Sequence, residues 1–251
     1  MNKDCIGVIA AMPEEIAPLL GRVRDVRKDK VGGFNVYRFS TGGGTPVVLV
    51  ESGMGPKHAA AATKLLIEQE SLRVIVNFGF GGGVLPGLEV GELVLAERVL
   101  LLETGGVSEA AGCDPALCDP LIESCRSAGI ALKRGTFITA ASIMNKKEVA
   151  EKFPGMTNPV LEMETAAVAA TARRAGIPVV AVRGISDAAD EELGFSLEEF
   201  CDAELNIRIG RVLWCLAKRP WIIPQLLRLA SNTKRAGKML APCLELLLEK
   251  I

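Results

Sequence analysis

Cys5-Ile6-Gly7-Val8-Ile9-Ala10-Ala11-Met12-Pro13-Glu14-Glu15 opens as an apolar run of β type and gives way at Pro13 to a helix-like stretch over Glu14–Leu20. The alternation recurs downstream. Val47–Val50 precedes Lys57–Gln69, and Val74–Phe80, Leu93–Leu102, Arg134–Thr139 and Val179–Gly184 are further short apolar runs. Such a sequence predicts an α/β fold in which helices cover a central sheet. Gly42-Gly43-Gly44 lies between Phe34–Ser40 and Val47–Val50, where glycine permits a tight reversal, so a hairpin is expected there and the sheet is expected to be mixed. Glu164–Ala175 reads as a helix, with Gly176 as its stop and Ile177-Pro178 leading into the next strand. Ser196 is placed to cap another helix reaching about Ala217, with Leu197, Phe200, Ile207, Val212 and Leu216 on its apolar face.

Composition changes after Lys218-Arg219-Pro220, where Trp221, Ile222, Ile223 and many leucines mix with Arg228, Lys234, Arg235 and Lys238. The chain is therefore divided into a main domain, 1–217, and a helical amphipathic C-terminal extension, 218–251. Within the extension, Pro224 and Pro242 are expected to bracket one helix, and Cys243–Ile251 to form a second short one. Its apolar and basic faces suit either a peripheral contact with a membrane surface or packing on the protein itself.

A chain of 251 residues with 49% hydrophobic content sustains a sizeable core, and a formal net charge of -1 removes nucleic acid from the expected partners. The N-terminus lacks the long apolar core of a signal peptide, and no run approaches the ~18 apolar residues of a spanning helix. The seven cysteines form no Cys-x-x-Cys pair and His58 is the single histidine, which argues against a conventional zinc site and for reduced thiols in the cytoplasm. No metal or cofactor is expected. Gly79-Phe80-Gly81-Gly82-Gly83 follows a strand, but Val84-Leu85-Pro86-Gly87 comes next instead of a helix, so the dinucleotide fingerprint and the P-loop both fail. Either backbone approaches a ligand closely at this stretch or it is a crowded strand crossing. Gly53-Met54-Gly55-Pro56 precedes a helix, and its N–H groups suit a hydroxyl or anion as well as a simple turn.

Three acidic positions fall where strands should end, which is where open α/β sheets bind ligands. Glu15 follows the first strand, Glu162 and Glu164 surround Met163, and Asp187 follows Val179–Ile185. Each has a bland alternative: a helix N-terminus complemented by Glu14 and Glu15, a strand with one solvated and one paired glutamate, and an acidic loop with Asp190, Glu191 and Glu192.

The letters around them carry more. Ile6-Gly7-Val8-Ile9-Ala10-Ala11-Met12-Pro13-Glu14-Glu15, Leu161-Glu162-Met163-Glu164-Thr165-Ala166-Ala167 and Val182-Arg183-Gly184-Ile185-Ser186-Asp187-Ala188-Ala189-Asp190 resemble, in order and spacing, the signature segments of the methylthioadenosine/S-adenosylhomocysteine nucleosidases. Val76-Asn77-Phe78-Gly79-Phe80-Gly81-Gly82 looks like the glycine-rich strand of the same purine nucleoside phosphorylase superfamily. The resemblance covers residues 5–216. It implies a three-layer phosphorylase-type fold, a homo-oligomer, and cleavage of a purine–ribose bond with release of adenine. It also implies that Asp187 protonates the leaving base with help from Ser186, that Glu164 holds the ribose hydroxyls, and that Glu15 positions and deprotonates water. Met163, Ser186, Phe80, Gly81, Ile143, Met144 and Glu162 are its implied substrate-side positions.

The sequence departs from that pattern at two places. Phe80 replaces the small serine usual after Asn-Thr-Gly, and Ile143 replaces the base-stacking phenylalanine within Ala141-Ser142-Ile143-Met144-Asn145. A modified 5′ substituent or a differently held base is expected. The Leu/Arg-rich extension resembles that of the hopanoid-associated phosphorylases, which implies a large apolar 5′ group as in adenosylhopane. Phosphorolysis and a non-catalytic nucleoside-binding protein remain as alternatives; Pro13-Glu14-Glu15 repels a phosphate dianion, while Lys57, Arg98 and Arg183 are cations that folding could bring to the site.

Overall fold

In the computed structural model the chain is described over residues 5–103, 106–110, 112–142, 144–191, 197–200 and 209–251. In chain order the elements are β1 (Cys5–Ala10), α1 (Pro13–Leu20), β2 (Arg27–Val31), β3 (Phe34–Ser40), β4 (Pro46–Glu51), α2 (Pro56–Gln69), β5 (Leu72–Gly83), β6 (Leu93–Glu103) and β7 (Gly106–Ala110). There follow α3 (Pro115–Ser127), β8 (Leu132–Ala140), α4 (Lys146–Lys152), β9 (Val160–Glu162), α5 (Thr165–Arg174), β10 (Val179–Asp187), a 3-10 turn at Leu197–Phe200, α6 (Ile209–Lys218) and α7 (Ile223–Lys250).

The β strands form one mixed sheet. β1 pairs in parallel with β4 and β5, β5 pairs in parallel with β10, and β3 joins β4 antiparallel through the glycine turn. β5 is the hinge of the architecture. One half of the sheet runs from it through β1, β4 and β3 to the edge strand β2. The other half closes on itself, because β10 pairs with β6, β6 with β8, β8 with β9, and β9 returns to β5.

Successive side chains of a strand face opposite sides, and β1 shows how this makes three layers. Ile6, Val8 and Ala10 join the core shared with α1, α3 and α7, whereas Cys5 and Ile9 join the core shared with α2 and α5. The sheet thus lies between two helical layers, as expected.

Four elements differ from the sequence reading. β2 (Arg-Lys-Asp-Lys-Val) and β7 (Gly-Val-Ser-Glu-Ala) carry no apolar alternation; both are largely exposed edge strands held by ladder hydrogen bonds to one neighbour. Of the helix expected between Ser196 and Ala217, the described residues form the 3-10 turn and α6, where Phe200, Cys215 and Ile222 are buried beside Val212 and Leu226; Ser196 and Ile207 lie outside the described residues. Finally, α7 does not stop at Pro242 but runs through it. A proline inside a helix costs ~3 kcal/mol, and burial of each large apolar side chain contributes ~1.5–3 kcal/mol. Leu240, Cys243, Leu244, Leu247 and Leu248 all enter the main core, which outweighs that cost. The C-terminal half of the expected extension therefore completes the core of the main domain.

Candidate active site

The ends of the parallel strands β1, β4, β5 and β10 bring together segments far apart in sequence. Glu15 is the third residue of α1, and its Oε2 accepts the N–H groups of Ala11 (2.8 Å) and Met12 (3.0 Å). Its Oε1 accepts Phe80 N–H from β5 at 2.9 Å. The carboxylate does complement a helix N-terminus, but it is also buried and tied to the central strand. Burial pushes its pKa up, against the pull of the Phe80 N–H, Arg183 and the Met12 and Ala11 N–H groups.

Gly55 caps α2 after β4, and its N–H donates to Glu164 Oε1 at 2.9 Å. The anion suited to that helix N-terminus is thus one of the protein's own carboxylates. Glu164 Oε2 lies 3.7 Å from the Arg183 guanidinium. Burial first, then the neighbouring Glu162 and Glu15 charges, push the Glu164 pKa up to about 7 although Arg183 pulls it down.

Glu162 is held differently. Its Oε1 accepts the Thr139 hydroxyl, and its Oε2 accepts Glu164 N–H (3.0 Å), Thr165 N–H (2.9 Å), Thr165 Oγ1 (2.7 Å) and Arg183 Nη2 (2.5 Å). Burial pushes its pKa up, but Arg183 and the hydroxyl and amide donors outweigh it and hold it below the usual value. Protein donors satisfy both oxygens, so Glu162 anchors Arg183 and the start of α5 instead of presenting itself to a ligand. Arg183 further bonds Asn77 Oδ1 (2.9 Å) and Thr165 Oγ1 (3.0 Å), and its guanidinium stacks over Phe137 at 5.6 Å.

Asp187 ends β10. Its Oδ1 accepts the Ser186 hydroxyl at 2.6 Å and its Oδ2 pairs with Lys146 Nζ at 2.7 Å; the ammonium also donates to the Ala188 carbonyl. Lys146, at the first turn of α4, has a side chain only 14% exposed. Sequence reasoning missed it, and no signal marks it among Asn145-Lys146-Lys147-Glu148; only the position of α4 opposite β10 does.

The glycines of β5 explain how these carboxylates fit. A Cβ on Gly79 would lie 2.5 Å from Glu15 Oε1, and one on Gly82 would lie 2.8 Å from Asp187 Oδ2. A Cβ on Gly81 would overlap Val160 Cγ1 of β9. The stretch is crowded by its own protein, and the missing side chains leave room for two acids beside one strand.

The other expected positions are more scattered. Ser186 is buried beside Asp187, and Met163 is half-buried between Glu162 and Glu164. The Phe80 ring is directed at α7: a Cβ on Gly237 would be 3.6 Å from its Cζ. Met144 packs on a satellite cluster of Val84, Leu100, Leu102 and Ile138. Ile143 lies outside the described residues. Arg98 is ion-paired with Glu109 on the surface and Lys57 is exposed. Among the described residues no three His, Cys, Asp or Glu side chains are grouped to hold a metal ion.

A mixed sheet with one closed half, between two helical layers, is a fold that known proteins share. The chain belongs to the phosphorylase superfamily, whose model matches residues 5–217. It is 32% identical over 230 residues to the 5′-methylthioadenosine/S-adenosylhomocysteine nucleosidase of Actinobacillus succinogenes, covering 85% of this chain and 98% of that one. The fold resembles that of S-adenosylhomocysteine nucleosidase from Streptococcus pyogenes in complex with 5-methylthiotubericidin, with a TM-score of 0.75 at 24% identity over 100% of this chain and 98% of that chain. Futalosine hydrolase of Helicobacter pylori aligns with a TM-score of 0.75 at 18% identity, over 99% of each chain.

Proposed function

We propose that the protein cleaves the N-glycosidic bond of a 5′-modified purine nucleoside, methylthioadenosine-like or adenosylhopane-like, and releases adenine. The observation that carries this reading is the pair of buried carboxylates, Glu15 and Glu164, on one side of the β5 glycines, with the Ser186–Asp187–Lys146 group on the other. Similarity to nucleosidases along most of the chain supports it.

Breaking the bond makes the sugar carbon cation-like and the leaving base anionic, so the reaction needs negative charge near the ribose and a proton at the base. Asp187 relays that proton to the five-membered ring of the purine from the Lys146 ammonium, which it meets at 2.7 Å, and Ser186 orients it. Glu164 holds the ribose hydroxyls through the oxygen that Gly55 leaves free. Met163 packs against the sugar. Glu15, held by the Phe80, Ala11 and Met12 N–H groups, accepts a proton from the attacking water. Phe80 contributes its N–H, which fixes Glu15.

Hydrolysis is favoured over phosphorolysis. The Nη2 of Arg183 is taken by Glu162, Asn77 and Thr165, Arg98 is paired with Glu109 and Lys146 with Asp187, while Glu14 and Glu15 oppose a dianion. The reading extends to a homo-oligomer, supported by resemblance to the nucleosidases, and to a cytoplasmic protein, supported by buried thiols such as Cys125 and Cys243, whose sulfurs approach to 3.8 Å without a bond. It also includes the division into a catalytic domain, 1–217, and an extension, 218–251, whose first half makes peripheral contact with a membrane; the basic and apolar residues of that half support the contact.

The test is to incubate purified protein with adenosine, methylthioadenosine and adenosylhopane and to follow free adenine with and without phosphate. Adenine and the free sugar, which is ribose from adenosine and a 5′-substituted ribose from the other two, formed equally without phosphate, are expected. Ribose 1-phosphate formed only with phosphate would make the enzyme a phosphorylase, and release from no nucleoside would leave a nucleoside-binding protein.

A further inference from the structure

Between Glu204 and Glu245 the sequence holds no aspartate or glutamate, while lysine and arginine recur from Arg208 to Lys238. The whole chain has a formal net charge of -1, so this basic stretch is set against an acidic remainder. Both tryptophans of the protein, Trp214 and Trp221, fall inside it.

The structure folds the stretch into an elbow. α6 ends at Lys218, the chain turns through Arg219-Pro220-Trp221, and α7 begins at Ile223. The inner side of the elbow is closed by Phe200, Cys215 and Ile222, with Val212 and Leu226 packed on them. Among the described residues, nothing covers the apolar outer side. Leu227, Trp221 and Trp214 are the most exposed large apolar side chains of the described residues, at 67%, 66% and 61%, and Ile223 joins them. Positive charge is interleaved: Lys218 Nζ sits 3.5 Å from the centre of the Trp214 ring. Along α7 the outward face continues from Ile223 and Leu227 to Lys234 and Lys238 at helical spacing, and neither lysine has an ion-pair partner among the described residues. The buried face of α7 begins between those two lysines, at Ala236 and Gly237, and continues with Leu240. No described helix is long and apolar enough to cross a membrane.

We propose that this elbow, Arg211–Lys238, docks the enzyme peripherally on an anionic lipid bilayer. Tryptophan rings settle at the headgroup level, Ile223 and Leu227 enter the acyl boundary, and the lysines meet lipid phosphates. Charge complementarity selects the partner, since each basic residue near such a surface strengthens binding about fivefold. The contact that was expected of the whole extension is thereby assigned to the elbow and the first half of α7, because the second half is core. The proposal does not depend on the reaction catalysed.

The tryptophans make the test direct, because all tryptophan emission comes from the elbow. Full-length protein is mixed at low salt with vesicles of phosphatidylcholine containing phosphatidylglycerol, and with phosphatidylcholine alone. A blue shift and co-sedimentation with the anionic vesicles only, both weakened by high salt, are the expected result. Lys234→Glu combined with Lys238→Glu should lower vesicle affinity by more than about tenfold, and Trp214→Ser combined with Trp221→Ser should abolish sedimentation; both proteins should keep wild-type melting and adenine release. Absence of binding to anionic vesicles, or equal binding to both vesicle types, overturns the proposal. So does a tryptophan variant that dissociates an oligomer while still binding vesicles, which makes the face an interface between copies, or preferential binding to an oligonucleotide without a blue shift.

Discussion

Replacing Gly79 by alanine would push first on Glu15. The backbone of Gly79 is ordinary extended strand, so alanine meets no conformational penalty there, but its Cβ would stand 2.5 Å from Glu15 Oε1 and 2.9 Å from Cδ. Ordinary contact begins near 3.4 Å, so the carboxylate must retreat by just under 1 Å. That retreat stretches the 2.9 Å bond from Phe80 N–H, while the bonds from Ala11 and Met12 can swing with the start of α1. A displacement of about 1 Å in a positioned group costs ~10²-fold in rate. One weakened buried hydrogen bond costs about 1–3 kcal/mol, and each of those corresponds to a melting shift of about 2–4 °C in a chain of this size. Steady-state adenine release and a thermal melt should therefore show a kcat lowered ~100-fold with a KM changed far less, in a protein that still folds. Gly21→Ala is the control, since its Cβ would meet nothing closer than 3.5 Å and its backbone is already helical. If folded Gly79→Ala keeps more than about a third of the wild-type rate, where ~10²-fold was expected, Glu15 is not held at the reacting centre and its assigned role fails.

Asp187→Asn keeps the Ser186 contact but has no acid proton to give, and should lower kcat by ~10²-fold or more. Lys146→Met should slow the same step, and combining it with Asp187→Asn should cost little beyond the slower single variant, because two groups acting as a unit are not additive; a loss equal to the product of the two would separate Lys146 from Asp187. Glu164, with a pKa raised to about 7 in the folded protein against the ordinary 4.5 of a glutamate, holds its proton between those pH values while the unfolded chain has lost it. The folded state binds more protons in that window, so this group makes stability fall by ~3 kcal/mol as pH rises from 4.5 to 7. Urea midpoints at pH 5 and pH 8 should then drop more in the wild type than in Glu164→Gln, and parallel drops would place the Glu164 pKa near that of an ordinary carboxyl group.

What the sequence determined by itself is local or patterned. Alternating apolar runs located β1, β4, β5, β6, β8 and β10, because strands buried on both faces must be apolar throughout. Glycines at 42–44 located the hairpin. Glu15, Glu164 and Asp187 stood out because each follows a strand inside a family-like motif, and the structure does set them at the ends of parallel strands. Tertiary structure decided whatever depends on a neighbour distant in sequence. Of two glutamates separated by one residue, Glu162 became the anchor and Glu164 the presented carboxylate, because Arg183 approaches Glu162 at 2.5 Å and Glu164 only at 3.7 Å. Lys146 acquired its partner across 41 positions of sequence. α7 passed through Pro242 because the core on the other side of the chain needed Leu244 and Leu247, an energy that helix propensity does not contain. Trp214 and Trp221, which composition alone would place inside, were left in solvent because the elbow's inner face was already filled by Phe200, Cys215 and Ile222.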